Sequence, residues 1–154
     1  MNKSQFLKID LFNHLQRLSE HKKPVWGKMN ARQMVEHLAF FIDISTEKTI
    51  FPLSVTETDL PKYKAFLMSE KQFRENTKAP SNVLGEETVP ILYPDLQTSI
   101  SVLQISVNQF FSFFKDNPEK NPIHPAFGHL NFDEWLLLHH KHATHHLRQF
   151  ELIA

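Results

Sequence analysis

The chain has 154 residues, and its composition excludes several classes of protein. Lys and Arg together number 17, as do Asp and Glu, and this balance argues against a general electrostatic interaction with nucleic acid or an anionic membrane. There is no cysteine, which excludes disulfides and thiolate metal sites. No apolar run is long enough to span a bilayer, and the N-terminus lacks the apolar core of a signal peptide. We therefore expect a cytoplasmic protein with one domain, residues 1–154.

Hydrophobic periodicity predicts four strong helices and one weaker helix. The strong patterns cover residues 4–19, 30 to about 45–48, 95–115 and 131–150, and the weaker pattern covers residues 60–76. The segments between them contain prolines and little periodicity, and we interpret them as loops: residues 49–60, 77–94 and 116–131. Since no segment has a convincing strand pattern, the sequence predicts an all-α bundle.

The last predicted helix carries an unusual set of side chains. Asn131 is a predicted N-cap, and Asp133 and Glu134 place negative charge at the positive end of the helix dipole. Five of the ten histidines follow within eight residues. At about 100° per residue, one helix face collects Trp135, Leu138, His139, His142, His146, Gln149 and Ile153. The face that should pack into the core therefore carries three imidazoles and an amide.

Two of these histidines have the spacing of a metal-ligand pair. His142 and His146, at i and i+4, lie on one side of the helix and are close enough to share an ion. A third ligand must come from another element, with a position left for water or substrate. His37, in the middle of the apolar stripe of the second helix, is the first choice. His139 is the second choice, because three ligands from one straight helix rarely converge on one ion, and His14 is a weaker candidate.

The alternative is that these histidines are structural, each hydrogen-bonded to a neighbour or to water. A lone histidine on an apolar face favours that interpretation. Several imidazoles in one core are costly unless something satisfies them, so the cluster favours a metal. Gln149 follows on the same face, and it is predicted either to orient a ligand or bind a substrate, or to bond to backbone at the helix end.

Five further polar residues are placed outside the predicted metal site. Glu36 points about 100° away from the metal face of its helix, and we interpret it as a solvated charge rather than a base. His140 and His145 are assigned to the surface or to the periphery of the site. His124 and His129 precede the last helix, where they could rim a pocket or belong to an ordinary loop.

Two stretches of the chain resemble motifs of a known superfamily. WGKMNARQMVEHL at 26–38 and HPAFGHLNFDEWLLLHHKHATHHLRQF at 124–150 are similar to the DinB/YfiT-like metalloenzymes, and within them to the DUF1569 branch; residues 49–93 are least alike. The resemblance implies a DinB-like four-helix bundle with an additional short helix or long connecting loops. It also implies zinc or nickel held by His37, His142 and His146. Characterised relatives include thiol-dependent transferases and isomerases.

The function predicted first is a metal-dependent enzyme, a hydrolase or a thiol-dependent transferase. Three neutral imidazoles leave the ion its full charge and an open position for a small-molecule substrate, with a low-molecular-weight thiol among the candidates. No catalytic residue is assigned, because no carboxylate on these faces is an obvious general base. The alternatives are a non-catalytic metal- or ligand-binding helical module and a metal-free domain with structural histidines. No nucleic-acid or membrane partner is expected, and a homodimer through a bundle face is the alternative to a monomer.

Overall fold

The structure is a computed structural model and describes residues 2–77 and 90–154. This part of the chain contains five helices and one pair of very short strands. Helix α1, residues 3–15, is α-helical at Lys3–Gln5 and Leu11–Leu15 and π-helical at Phe6–Asp10. The other elements are α2 (Ala31–Ser45), α3 (Leu60–Met68), α4 (Leu96–Asp116), β1 (Ile123–His124), β2 (Gly128–His129) and α5 (Phe132–Gln149). The predicted all-α fold is confirmed.

The N-terminal caps explain why the long helices begin where the sequence predicts. Asn30 and Asn131 each accept a hydrogen bond from the backbone N–H of the third helical residue, Gln33 and Glu134 respectively. The side chains of those residues accept in return from the backbone N–H of the cap. Each capping box satisfies two otherwise free donors. Asp95 caps α4 with its carboxylate.

The weak helix predicted over residues 60–76 is shorter than expected. Helix α3 ends at Met68. The ammonium of Lys141, on α5, donates to the carbonyl oxygens of Ser69 and Lys71. These carbonyls are therefore bound by a side chain instead of by the N–H groups of a continuing helix. Local sequence could not show this, because the partner lies 70 residues away.

The segment before α5 also differs from the prediction. It was expected to contain no strand, but β1 and β2 form an antiparallel pair there. Gly128 has a φ of 79°, a conformation that glycine adopts without steric cost. Ile153, predicted to continue the face of the last helix, lies beyond the end of α5. The loop predicted at residues 77–94 falls mostly outside the described residues.

The core lies where α1, α2, α4 and α5 meet. Helix α2 packs along α4, helix α5 contacts α1, α2 and α3, and α1 also contacts α4. The largest fully buried side chains include Trp135, Phe110, Phe150, Leu7, Leu11, Met34 and Leu103. Since α2 and α5 are in contact, a histidine on the inner face of one can approach histidines on the other. Within the described residues, no helix is both long and apolar enough to cross a membrane.

Glu36 was predicted to be a solvated charge, and this prediction is wrong. Its side chain is buried, and its carboxylate accepts from the backbone N–H of Leu92 at 2.7 Å and from the hydroxyl of Ser99 at 2.9 Å. Arg32, one turn earlier, donates to two backbone carbonyls of the segment that leads into α4. Glu36 and Arg32 thus attach that segment to α2.

Replacing Glu36 with Ala should lower the free energy of unfolding by about 1–3 kcal/mol, because two donors would lose their buried acceptor. Urea unfolding measures the change. The exposed residue Glu57 provides the control, since Glu57→Ala should stay within about 0.5 kcal/mol of wild type. Equal effects of the two substitutions would show that the Glu36 bonds do not stabilise the fold.

Candidate metal centre

The three histidines singled out by the sequence meet between α2 and α5. The Nε2 atom of His142 lies 2.9 Å from Nε2 of His37 and 3.1 Å from Nε2 of His146. The ring centroids form a nearly equilateral triangle with sides of 4.8, 4.8 and 4.7 Å. The i, i+4 spacing places two rings on one side of α5, and the packing of α2 brings the third opposite them. We call this cluster the histidine triad.

The spacing of the triad suits a small divalent ion. A zinc ion binds imidazole nitrogen at about 2.0–2.1 Å, so tetrahedral ligands lie roughly 3.3 Å apart. The two distances from Nε2 of His142, 2.9 and 3.1 Å, would need to lengthen by only a few tenths of an ångström. Without a cation, the Nε2 atom of His142 carries at most one proton and can satisfy its two neighbours only by sharing it. The donor set therefore fits a metal bound by three imidazoles.

Gln149 determines which nitrogen of His146 carries the proton. The amide nitrogen of Gln149 donates to the carbonyl oxygen of Trp26 at 2.9 Å, so the amide oxygen points the other way. That oxygen lies 2.7 Å from Nδ1 of His146 and can only accept. Nδ1 of His146 therefore donates, and in the neutral ring Nε2 keeps a free lone pair directed at the triad. The amide thus bonds to backbone, one of the roles predicted for Gln149, while the role of orienting a metal ligand stays a prediction.

The connection between α1 and α2 is built around this amide. The backbone N–H of Val25 donates to the carbonyl of Gln149 at 2.8 Å, in addition to the bond at Trp26. Gly27 has a φ of 79°, and a Cβ atom there would lie 2.9 Å from the amide nitrogen of Gln149. A larger residue at position 27 would be strained and would displace the amide.

Burial keeps the triad imidazoles neutral. Burial, with a smaller effect of His145, lowers the pKa of His37 to about 4. The pKa values of His142 and His146 are well below 6.5, first because of burial and then because of neighbouring histidines. At neutral pH all three rings are unprotonated at one nitrogen, the state in which imidazole binds a metal.

Aromatic rings surround the triad. Phe41 packs against His37 at 4.9 Å and against His142 at 5.3 Å between ring centroids. Phe73 lies 6.3 Å from the ring of His142. His37 and His146 are buried, whereas His142 is partly exposed and marks the accessible side of the cluster. Nδ1 of His37 is buried without a hydrogen-bond partner, so no bond from this nitrogen orients the ring.

His145 belongs to the periphery of the site and not to the surface. Its ring is buried, between Trp26 at 5.4 Å and Phe73 at 5.7 Å, and it contacts the ring of His146 at 4.9 Å. Burial, followed by the positive charge of Arg148, lowers its pKa to about 4. The helical pattern placed His145 at the edge of the metal face, and its two aromatic partners come from distant segments.

The second-choice ligand, His139, does not join the triad. Its Nε2 atom lies 2.9 Å from the hydroxyl of Ser45, which itself donates to a backbone carbonyl, so His139 is the donor. The ring packs between Trp135 and Phe110. Burial, together with the neighbouring His124, lowers the pKa of His139 to about 3. His139 is a satisfied core histidine.

The remaining histidines also lie outside the triad. His124 is buried, and its Nδ1 atom accepts from two backbone N–H groups of its own loop, which stabilises the turn before α5. His129 is exposed and donates to the carbonyl of Asn121. His14, near the end of α1, pairs with Arg17 just beyond the helix. The half-buried ring of His140 packs on Phe6, on the other side of α5.

Acid should destabilise the fold through the core histidines. In the unfolded chain His139 has a pKa near 6.5, whereas in the folded protein its pKa is about 3, so between these values only the unfolded chain is protonated at His139. Stability from this residue is therefore lost as the pH falls through that window, by about 1.4 kcal/mol per pH unit. His139→Leu should flatten the fall by this amount, measured by urea unfolding with chelator present at pH values from about 7.5 to about 5.

Phe114→Leu is the matched control, because it perturbs the same core without removing a titratable group. It should shift the unfolding free energy by the same amount at every pH. An identical pH dependence for wild type and His139→Leu would contradict the pKa assigned to His139.

Comparison with known proteins places the chain in a family. A family model described as a protein of unknown function, DUF1569, matches residues 5–152. Neither the curated proteins nor the solved structures gave a match. Because the match covers nearly the whole chain and includes all three members of the triad, the chain belongs to the DUF1569 family.

Proposed function

We propose that this protein is a metal-dependent enzyme whose ion is held by His37, His142 and His146. One observation carries the proposal: the Nε2 atoms of His37 and His146 both lie within 3.1 Å of Nε2 of His142, and the bond from His146 to Gln149 leaves the lone pair of His146 free. A ligand histidine whose other nitrogen donates to a fixed oxygen is the usual arrangement around protein-bound metals.

The chemistry follows from the charge and the surroundings of the triad. Bound by three neutral imidazoles, a divalent ion would retain its full positive charge and an open position, lower the pKa of a bound water or thiol, or polarise a carbonyl. Burial keeps protons off the ligands, and Phe41 and Phe73 exclude water from two sides. The partly exposed side of His142 supplies the path for a small substrate.

The donor set favours zinc or nickel among divalent ions. Imidazole suits both, and the chain offers no thiolate. The reaction class is hydrolysis or thiol transfer. The motif resemblance to DinB/YfiT-like metalloenzymes supports a low-molecular-weight thiol as co-substrate. The same resemblance assigns the four helices of a DinB-like bundle to α1, α2, α4 and α5. Helix α3 is then the additional short helix.

A second candidate function is a non-catalytic metal-binding module. The burial of two ligands favours it, since His37 is 7% and His146 is 5% exposed. A bound ion with no exchangeable water would distinguish this module from an enzyme, which needs an open coordination position.

Untagged protein purified without chelator should contain about one transition metal per chain. Both His37→Ala and His142→Ala should lose it, because the remaining two imidazoles hold a divalent ion weakly. Elemental analysis measures the content directly. His129→Ala is the control, since this exposed histidine lies outside the triad and its removal should leave the metal in place.

A wild-type protein that is metal-free and takes up neither added zinc nor added nickel would contradict the proposal. So would metal that remains in both triad variants, because the ion would then be bound elsewhere.

Gln149→Leu should weaken metal binding by about 10–100-fold, because Nδ1 of His146 would lose its acceptor. Gln149→Glu keeps an acceptor for Nδ1 of His146 but loses the donor to the carbonyl of Trp26, so it should recover only part of the affinity. Competition with a chromogenic chelator gives the affinities. The exposed residue Gln104 on α4 serves as control, and Gln104→Leu should bind metal like wild type. Equal affinities of wild type and Gln149→Leu would exclude a role for the amide.

A further inference from the structure

Two buried side-chain nitrogen atoms in the described part of the chain have no hydrogen-bond partner. One is Nδ1 of His37, a member of the triad, and the other is Nη2 of Arg148. Buried polar atoms without partners are few in native proteins, and each calls for an explanation. The unpartnered nitrogen of Arg148 needs an explanation more than that of His37, because a guanidinium remains charged at every physiological pH.

Arg148 is separated from the triad by one side chain. It follows His145 by three residues on α5, and its charge is the largest electrostatic cause of the lowered pKa of His145. His145 in turn packs against His146 with 4.9 Å between ring centroids. A group bound to the guanidinium would therefore lie beside the triad and not on a distant surface.

No carboxylate among the described residues neutralises Arg148. Lys141 lies two turns earlier on the same face of α5, and its ammonium donates to two backbone carbonyls. The nearest carboxylate along the chain, Glu151, pairs with Lys22 at 2.5 Å. The acidic residues of α5 lie in its first turn, at the opposite end of the helix. Within residues 2–77 and 90–154, the edge of the triad therefore carries one positive charge without a counter-charge.

We propose that Arg148 binds a carboxylate group of the substrate while the reacting atom sits at the triad. The planar guanidinium presents paired N–H donors that match the two oxygens of a carboxylate. One cation with no carboxylate partner among the described residues balances a single negative charge, which favours a carboxylate over a doubly charged phosphate. Trp26 and Phe73, on either side of His145, would cover the carbon part of such a substrate. This inference rests on the proposed metal-dependent function.

The test uses the full-length protein loaded with Co²⁺ and a series of thiol probes. Mercaptoacetate, 3-mercaptopropionate and 4-mercaptobutyrate are each compared with the corresponding neutral amide, and the cobalt absorption reports binding of the thiol. At least one acid should bind about tenfold or more tighter than its amide, as expected for a charge-assisted hydrogen bond. Arg148→Gln should remove this preference and leave the affinity for the amides unchanged.

Two further variants make the result specific. Arg148→Lys keeps the charge without the paired donors, so part of the preference should remain. Arg74→Gln removes an exposed guanidinium and should bind all probes like wild type. Because Arg148 makes no hydrogen bond or ion pair within the described residues, Arg148→Gln should melt at the wild-type temperature or above it.

The outcomes separate this inference from the proposed function. If cobalt and the thiols bind but no acid is preferred, or if Arg148→Gln retains the preference, the carboxylate site is wrong and the metal centre stands. If cobalt does not bind, or binds equally well to His142→Ala, the metal-dependent function fails and the inference fails with it.

Discussion

The amide of Gln149 is the interaction on which the chemistry of the histidine cluster depends. Its nitrogen is held by the carbonyl of Trp26, so its oxygen must face His146. That single orientation decides the tautomer of the ring and leaves Nε2 without a proton. The backbone of the α1–α2 connection thus controls a lone pair in the middle of the protein. Without this bond the three imidazoles would be neighbours with no defined set of donors.

Burial acts on these histidines in two opposing ways. It lowers the pKa of each triad ring and makes the lone pairs available at neutral pH. It also places several imidazoles in an apolar environment, where polar groups need partners. His139 and His124 obtain these partners through hydrogen bonds to other groups of the chain. Nδ1 of His37 has no such bond, so the triad is less completely satisfied than the core histidines beside it.

Much of this arrangement could be predicted because it depends on local sequence. The capping residues Asn30 and Asn131 and the apolar periodicity place the long helices. The i, i+4 spacing pairs His142 with His146, and the apolar stripe around His37 implies an inward-facing third imidazole. These features need only the geometry of single helices and the expectation that apolar faces meet.

The features that the sequence could not show depend on partners far apart in the chain. Glu36 looks solvated on a helical wheel, and only the approach of Leu92 and Ser99 makes it a core residue. His145 lies at the edge of the metal-binding face of α5, and the two rings that contact it, those of Trp26 and Phe73, belong to other segments of the chain. Periodicity assigns a residue to a side of its own helix and contains no information on what covers that side.

Gly27 and Gln149 depend on each other structurally, although 122 positions separate them along the chain. Any side chain at position 27 would enter the space of the amide, so it would be tolerated only with a shorter residue at position 149. Such a pair would no longer hold His146. Within the family, substitutions at these two positions should therefore occur together, and chains that have lost both should also have lost the pressure to keep the triad.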